Sequence, residues 1–155
     1  MTELAGAKLF VTQDDLSPRA VALYRALKKI ETEDHRTRRD TYAGFSQQIK
    51  ANVRESINFK TGSAKVALEH EAHITDMIQN ADPNSFFLVV GYTSTSGDSK
   101  NNEELSSRRA TRVASMVNYR KGKTQGVQAV YLGEGKRFGP EDAPNQVCEI
   151  WEIRP

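Results

Sequence analysis

The chain has one cysteine, Cys148, in 155 residues, so it forms no internal disulfide and offers no Cys-rich zinc pattern. The absence of disulfides suits a reducing compartment, and equally a periplasmic domain, so cysteine usage leaves the compartment open. No stretch approaches the roughly 18 apolar residues that cross a bilayer as a helix. The opening Met1 to Gly6 has neither a basic n-region nor an apolar h-region and does not read as a signal peptide. An excess of one charge is missing too: 22 Lys and Arg face 20 Asp and Glu, for a formal net charge of +2. So balanced a chain is not built primarily for nucleic acid or an anionic membrane surface. Internal repeats and low-complexity tracts are also absent. With 37% hydrophobic and 27% charged residues, what remains is an ordinary soluble balance, long enough to bury a sizeable core.

The chain divides near Ser56. In the first part, Ser17 followed by Pro18 is a helix opening, a hydroxyl to cap free amides and then proline at the first helical position. Ala20, Leu23, Tyr24, Leu27 and Ile30 recur at helical spacing. That apolar face must cover something, either its own domain or a partner. Glu31 to Asp40 is highly charged and reads as a helix end plus linker, its run Arg36-Thr37-Arg38-Arg39 a solvated surface. Between Tyr42 and Phe59 two periods compete. Phe45, Ile49, Val53 and Ile57 are four apart, as in a helix, whereas Ile49, Ala51, Val53, Ile57 and Phe59 share one parity, as in a strand. The reading is a helix first and a strand by Ile57.

Beyond Phe59 the elements alternate. The turn Thr61-Gly62-Ser63 can cap a helix from about Ala64 to Asn80, with Val66, Leu68, Ile74, Met77 and Ile78 as its apolar positions and Asp82-Pro83-Asn84 as its stop. Phe86 to Val90 is a continuous apolar run, the mark of a strand covered on both faces. A polar loop over residues 93–102 leads into a second helix, about Glu103 to Tyr119, closed by Lys121-Gly122-Lys123. Strands follow at Val127–Leu132 and Val147–Ile153, separated by a Gly- and Pro-rich loop. The pattern predicts an α/β fold, a small mixed sheet with helices on one face.

The chemistry concentrates on the second helix. At ~100° per residue, Leu105, Ala110, Val113, Met116 and Val117 occupy one arc and Arg109 falls inside it, with Arg108 and Arg112 at or beyond its edge. A guanidinium in that position needs a carboxylate, a set of carbonyls or a ligand, because burying it unpaired is costly. Catalytic signals are weak. His70 and His73 sit three apart beside Glu69 and Glu71, but this is not a His-Glu-x-x-His pattern. The adjacent carboxylates point off the histidines' face and no third ligand is evident, so solvated surface histidines are expected, with no metal site. Cys148 reads as an inert buried thiol, Gly133-x-Gly135 as a turn, and Trp151 and Tyr131 as core or sheet-edge residues.

Gly91-Tyr92-Thr93, then Gly97, Asn102, Leu105-Ser106, Arg109-Ala110 and Val113 resemble the signature of the OmpA-like domain family: Gly-His/Tyr-Thr-Asp, a glycine, then Asn-x-x-Leu-Ser-x-x-Arg-Ala-x-x-Val. Ile57-Asn58-Phe59 with Gly62-Ser63-Ala64 resembles the family's opening strand and turn. Gly133, Gly135 and the stretch Asn145 to Ile150 resemble its Gly-x-Gly and Asn-Arg-Arg-Val-Glu-Ile close. The resemblance spans about Ile57 to Ile153. It implies a βαβαββ sandwich over residues 57–155, preceded by a helical extension over residues 1–56. It also implies a non-catalytic, cofactor-free envelope protein that holds peptidoglycan non-covalently. Arg109 and Asn102 would carry recognition of the diaminopimelate stem peptide, with Thr93, Ser94 and Asp98 at the pocket mouth. The family's arginine forks onto the ligand's carboxylate, and its aspartate takes the ammonium. Here that aspartate is Ser94, and the closing Arg-Arg is Gln146-Val147. A lost charge-assisted contact costs on the order of 1.5–3 kcal/mol, so the implied binding is weak. The alternative is a degenerate domain serving as a structural subunit of an envelope machine, a secretion system or a stator. In that case Arg109 is tied to an internal acid and the N-terminal helix docks onto a protein partner. The implied place is the periplasm or outer membrane, with any membrane association supplied by a segment outside this chain.

Overall fold

A computed structural model describes residues 17–30, 35–139 and 141–155. The expectations for Met1 to Gly6 and for residues 31–34 lie outside the described residues. Among the described residues, five helical segments and four strands follow one another: α1 Pro18–Lys28, α2 His35–Ile49, β1 Ala51–Asn58, α3 Leu68–Asn80, β2 Phe86–Thr93, α4 Ser99–Arg120, β3 Gly126–Glu134, the single turn α5 Asp142–Asn145, and β4 Val147–Ile153. The strands form one mixed sheet in the order β1-β4-β2-β3. Strand β4 runs antiparallel to both its neighbours, and β2 pairs in parallel with β3. The central strands explain the unbroken apolar runs. Phe87 to Val90 are buried, and so is every residue of β4, because layers cover both faces.

Helices α3 and α4 pack on one face, as the alternating pattern predicts. Ile74, Met77 and Ile78 of α3 and Ala110, Val113, Ala114 and Val117 of α4 enclose Phe87, Val89, Ala129 and Ile150. Gly91 makes the α4 contact possible: a Cβ there would stand 2.2 Å from the Ser106 carbonyl oxygen of α4. The opposite face is covered by the N-terminal helices. Ala20, Leu23, Tyr24 and Leu27 of α1 and Phe45 of α2 close over Leu88, Val90, Tyr92, Trp151 and Ile153. Ser17 caps α1 as expected, its hydroxyl accepting from the Ala20 amide at 3.3 Å. Arg19 donates to the Ile49 and Arg154 carbonyls at 3.3 and 2.6 Å and ties α1 to the end of α2 and the residue after β4. The apolar face of α1 is thus occupied by its own chain and is not a free docking element.

Three local expectations are corrected. Residues 35–40 are the start of α2 rather than linker, because arginine, three of these six residues, favours helix almost as well as alanine. Helix α3 begins at Leu68, not Ala64: Ser63 caps a tight turn instead, its hydroxyl accepting from the Lys65 amide at 3.0 Å. Val66 is buried ahead of the helix, and Leu68 is 82% exposed. Strand β1 begins at Ala51, earlier than expected, and carries a bulge. Val53 pairs with Trp151 and Glu55 with Ile150, leaving Arg54 as the extra residue. One extra residue reverses which face later side chains take. Ala51 therefore packs with the α1–α2 layer while Ile57, of the same parity, packs under α3 and α4.

Candidate functional site

Arg109 is fully buried in the first half of α4. Its guanidinium meets carbonyls rather than an acid. Nε donates to the Ser63 carbonyl at 2.8 Å, Nη1 to the Tyr92 carbonyl at 3.1 Å and to Gln146 Oε1 at 2.5 Å, and Nη2 to the Lys60 carbonyl at 3.2 Å. The Phe59 ring lies beneath it, 4.9 Å from centroid to guanidinium carbon. Four of its five N–H groups are thereby used, and among the described residues no carboxylate pairs with it. Burial draws its pKa down to about 10, so the group remains a cation at neutral pH. The side chain draws together the turn after β1, the end of β2, α4 and the start of β4. Gly62, at φ 74° in that turn, takes a left-handed conformation that a side chain disfavours, and this brings the Lys60 and Ser63 carbonyls onto one cation.

Two of the three residues that depart from the family pattern, Ser94 and Gln146, touch each other. Gln146 Nε2 donates to Ser94 Oγ at 2.7 Å while its Oε1 receives Arg109. Ser94 is buried and shares a further hydrogen bond with Ser96 at 2.9 Å. Where the pattern would place a negative and a positive side chain, this chain has a neutral hydroxyl and a neutral amide bonded together. Thr93 is buried and donates to the Ser94 carbonyl at 3.2 Å. Asn102, in the first turn of α4, donates to the Ser96 carbonyl at 2.9 Å and to Glu134 Oε2 at 3.0 Å. Asp98 is exposed and caps α4, accepting from the Lys100 amide at 3.3 Å.

The five expected recognition residues are thus neighbours in space, but Arg109, Ser94, Thr93 and Asn102 are buried and hydrogen-bonded within the domain. An open groove of about 860 Å³ lies just outside, between the Gly62–Lys65 turn and the outer side of α4. Its cations are Lys65, Arg108 and Arg112, the last two on the solvent side of the helix as the wheel predicts.

A family model described as the OmpA family matches residues 58–147. The chain belongs to the OmpA family. Solved structures agree on the fold. The peptidoglycan-associated lipoprotein from Burkholderia pseudomallei is 24% identical with a TM-score of 0.52, the match covering 63% of this chain and 88% of that one. The periplasmic domain of Helicobacter pylori MotB is 18% identical with a TM-score of 0.53, covering 67% and 72%. No curated protein sequence matches the chain.

Within this OmpA-family domain, sequence reasoning missed Gln146 as the partner of Arg109 and Ser94, although its place in the closing motif was the available signal. It also missed two buried glutamates of β4. Glu149 receives the hydroxyls of Tyr42 at 3.0 Å and Tyr92 at 2.8 Å, and Trp151 Nε1 at 3.3 Å. Glu152 receives Arg54 at 2.6 Å, Ser85 Oγ at 2.5 Å and the Asp82 amide at 3.1 Å. Burial raises the Tyr92 phenol well above its ordinary value, with the Glu149 charge adding to the effect. Cys148 is buried and its thiol is likewise held up by burial, as an inert core residue requires. Sequence reasoning also missed that Glu55, the residue after the β1 bulge, stands against both His70 and His73.

Proposed function

We propose that the chain is a non-catalytic module of a bacterial cell envelope that keeps the OmpA fold as a scaffold for protein contacts, with the family's grip on peptidoglycan closed at Arg109. The observation that carries this reading is the fully buried guanidinium, which spends four N–H groups on Ser63, Tyr92, Lys60 and Gln146. A carboxylate ligand would have to displace those acceptors and open the Gly62–Ser63 turn, which removes most of the gain from a charge-assisted fork. The neutral pair Ser94–Gln146 supplies no charge for the ligand's ammonium. With α1 spent on its own sheet, the surface left for partners includes the basic groove lined by Lys65, Arg108 and Arg112.

One observation favours a second reading, a weak peptidoglycan anchor in which Arg109 and Asn102 recognise the diaminopimelate end of the stem peptide. Arg109 has no carboxylate partner among the described residues, and a buried cation held only by dipoles is primed for an anion. Cosedimentation with purified diaminopimelate-type sacculi separates the two. On the scaffold reading the wild-type chain stays in solution, and Ser94→Asp with Gln146→Arg, which restores two of the family's three charges, gains binding. If the wild-type chain sediments and the loss of Asn102 in Asn102→Ala abolishes it, the anchor reading holds.

A further inference from the structure

Away from the Arg109 site, β1 and α3 bring together the side chains of Glu55, His70 and His73. The histidines are three apart on α3 and so share a helix face. The bulge at Arg54 turns Glu55 onto the side of the sheet that α3 covers. Glu55 Oε2 lies 3.3 Å from His73 Nδ1 and 3.7 Å from His70 Nδ1, and one ligand atom from each of the three residues falls within 4.8 Å of the others. The Glu55–His73 separation equals the edge of a tetrahedron, about 3.3 Å for metal–nitrogen and metal–oxygen bonds of about 2.0–2.1 Å, and the Glu55–His70 separation is 0.4 Å longer. The two imidazole planes are nearly perpendicular, at 81°.

A second observation sets this cluster apart from an ordinary surface ion pair. His70 Nδ1 is shut off from solvent and has no hydrogen-bond partner, an orphaned polar atom of a kind that buried groups seldom leave. Competing partners are engaged elsewhere: Arg54 pairs with Glu152 at 2.6 Å and Glu71 with Arg120 at 3.3 Å. On the open side the His73 side chain is 56% exposed, against 18% for His70 and 19% for Glu55.

We propose that Glu55, His70 and His73 form a binding site for a divalent transition metal of the zinc type, with His70 and Glu55 as its inner wall and the fourth position open to water or to a partner's side chain. Two imidazoles and one carboxylate favour zinc-type ions over magnesium or calcium, which select oxygen ligands.

The test is titration of the purified chain with Zn²⁺ against a competing chromophoric chelator. The expected result is one ion per chain, no competition by Mg²⁺, and a loss of at least about tenfold in affinity in both Glu55→Gln and His73→Ala. His35→Ala should retain wild-type affinity, and Co²⁺ loading should give the absorption of a tetrahedral nitrogen–oxygen site. Because Glu55→Gln keeps the side chain's shape and His73 is exposed, circular dichroism should show both variants folded. Zinc binding unchanged in Glu55→Gln, or no tighter in wild type than in His73→Ala, overturns the proposal.

Discussion

Replacing Arg109 by methionine keeps most of the side chain's length and removes the charge and every donor. Of the four acceptors it serves, the Lys60 and Ser63 carbonyls lie in the turn beside the open groove and can turn to water. The Tyr92 carbonyl and Gln146 Oε1 are buried and cannot. An orphaned buried acceptor costs about 1–3 kcal/mol, so two of them predict a loss of about 2–6 kcal/mol. Arg109→Lys should fall between, since it keeps the charge but cannot fork to four points. Urea unfolding followed by fluorescence of Trp151, the only tryptophan and fully buried, reads the difference. The midpoint should drop with the slope unchanged. A ligand-binding cation is commonly neutral or even stabilising to remove, whereas a cation that joins four chain segments is not. A loss below about 1 kcal/mol therefore refutes the account of Arg109 as an internal tie.

Other outcomes follow from the same contacts. Gly91→Ala drives a methyl toward the Ser106 carbonyl and should destabilise by about 1–3 kcal/mol, measured by the same urea titration. Leu23→Ala, on the buried face of α1, should cost about 2–5 kcal/mol if that helix is part of the core; a change near zero would mean α1 is free to dock elsewhere. Tyr92, neutral in its buried place beside Glu149, favours the folded state fully below the ordinary tyrosine pKa. That contribution is lost as pH rises through and above that value, so tyrosinate absorbance from Tyr92 should appear only with unfolding, and Tyr92→Phe should flatten the alkaline slope.

Much of this was legible in the sequence where one period dominates. The burial of the run Phe86–Val90 follows from apolar continuity, and the place of Arg109 follows from the helical arc it shares with Leu105 and Val113. The motif from Gly91 to Val113 located the site, but not its state. What failed was long-range or cooperative. The bulge at Arg54 divides residues of one parity between two faces, a register effect that no periodicity records. Glu55 lies 15 residues before His70, and only sheet pairing brings it under α3. The Ser94–Gln146 contact joins β2 to β4, so two departures that look independent along the chain act as one neutral unit in space. The charged start of α2 has a composition that a linker and a helix share, so composition alone does not separate them.

The central claim is that the Arg109 guanidinium is engaged internally, and its own Nε–H resonance tests this most directly. In a ¹⁵N-labelled chain the account predicts a dispersed Arg109 Nε–H signal that exchanges slowly with water and keeps its position when a diaminopimelate stem peptide is added in excess. A signal that exchanges rapidly in the free protein, or that shifts to saturation with the peptide, contradicts the account and makes Arg109 a ligand-gripping residue.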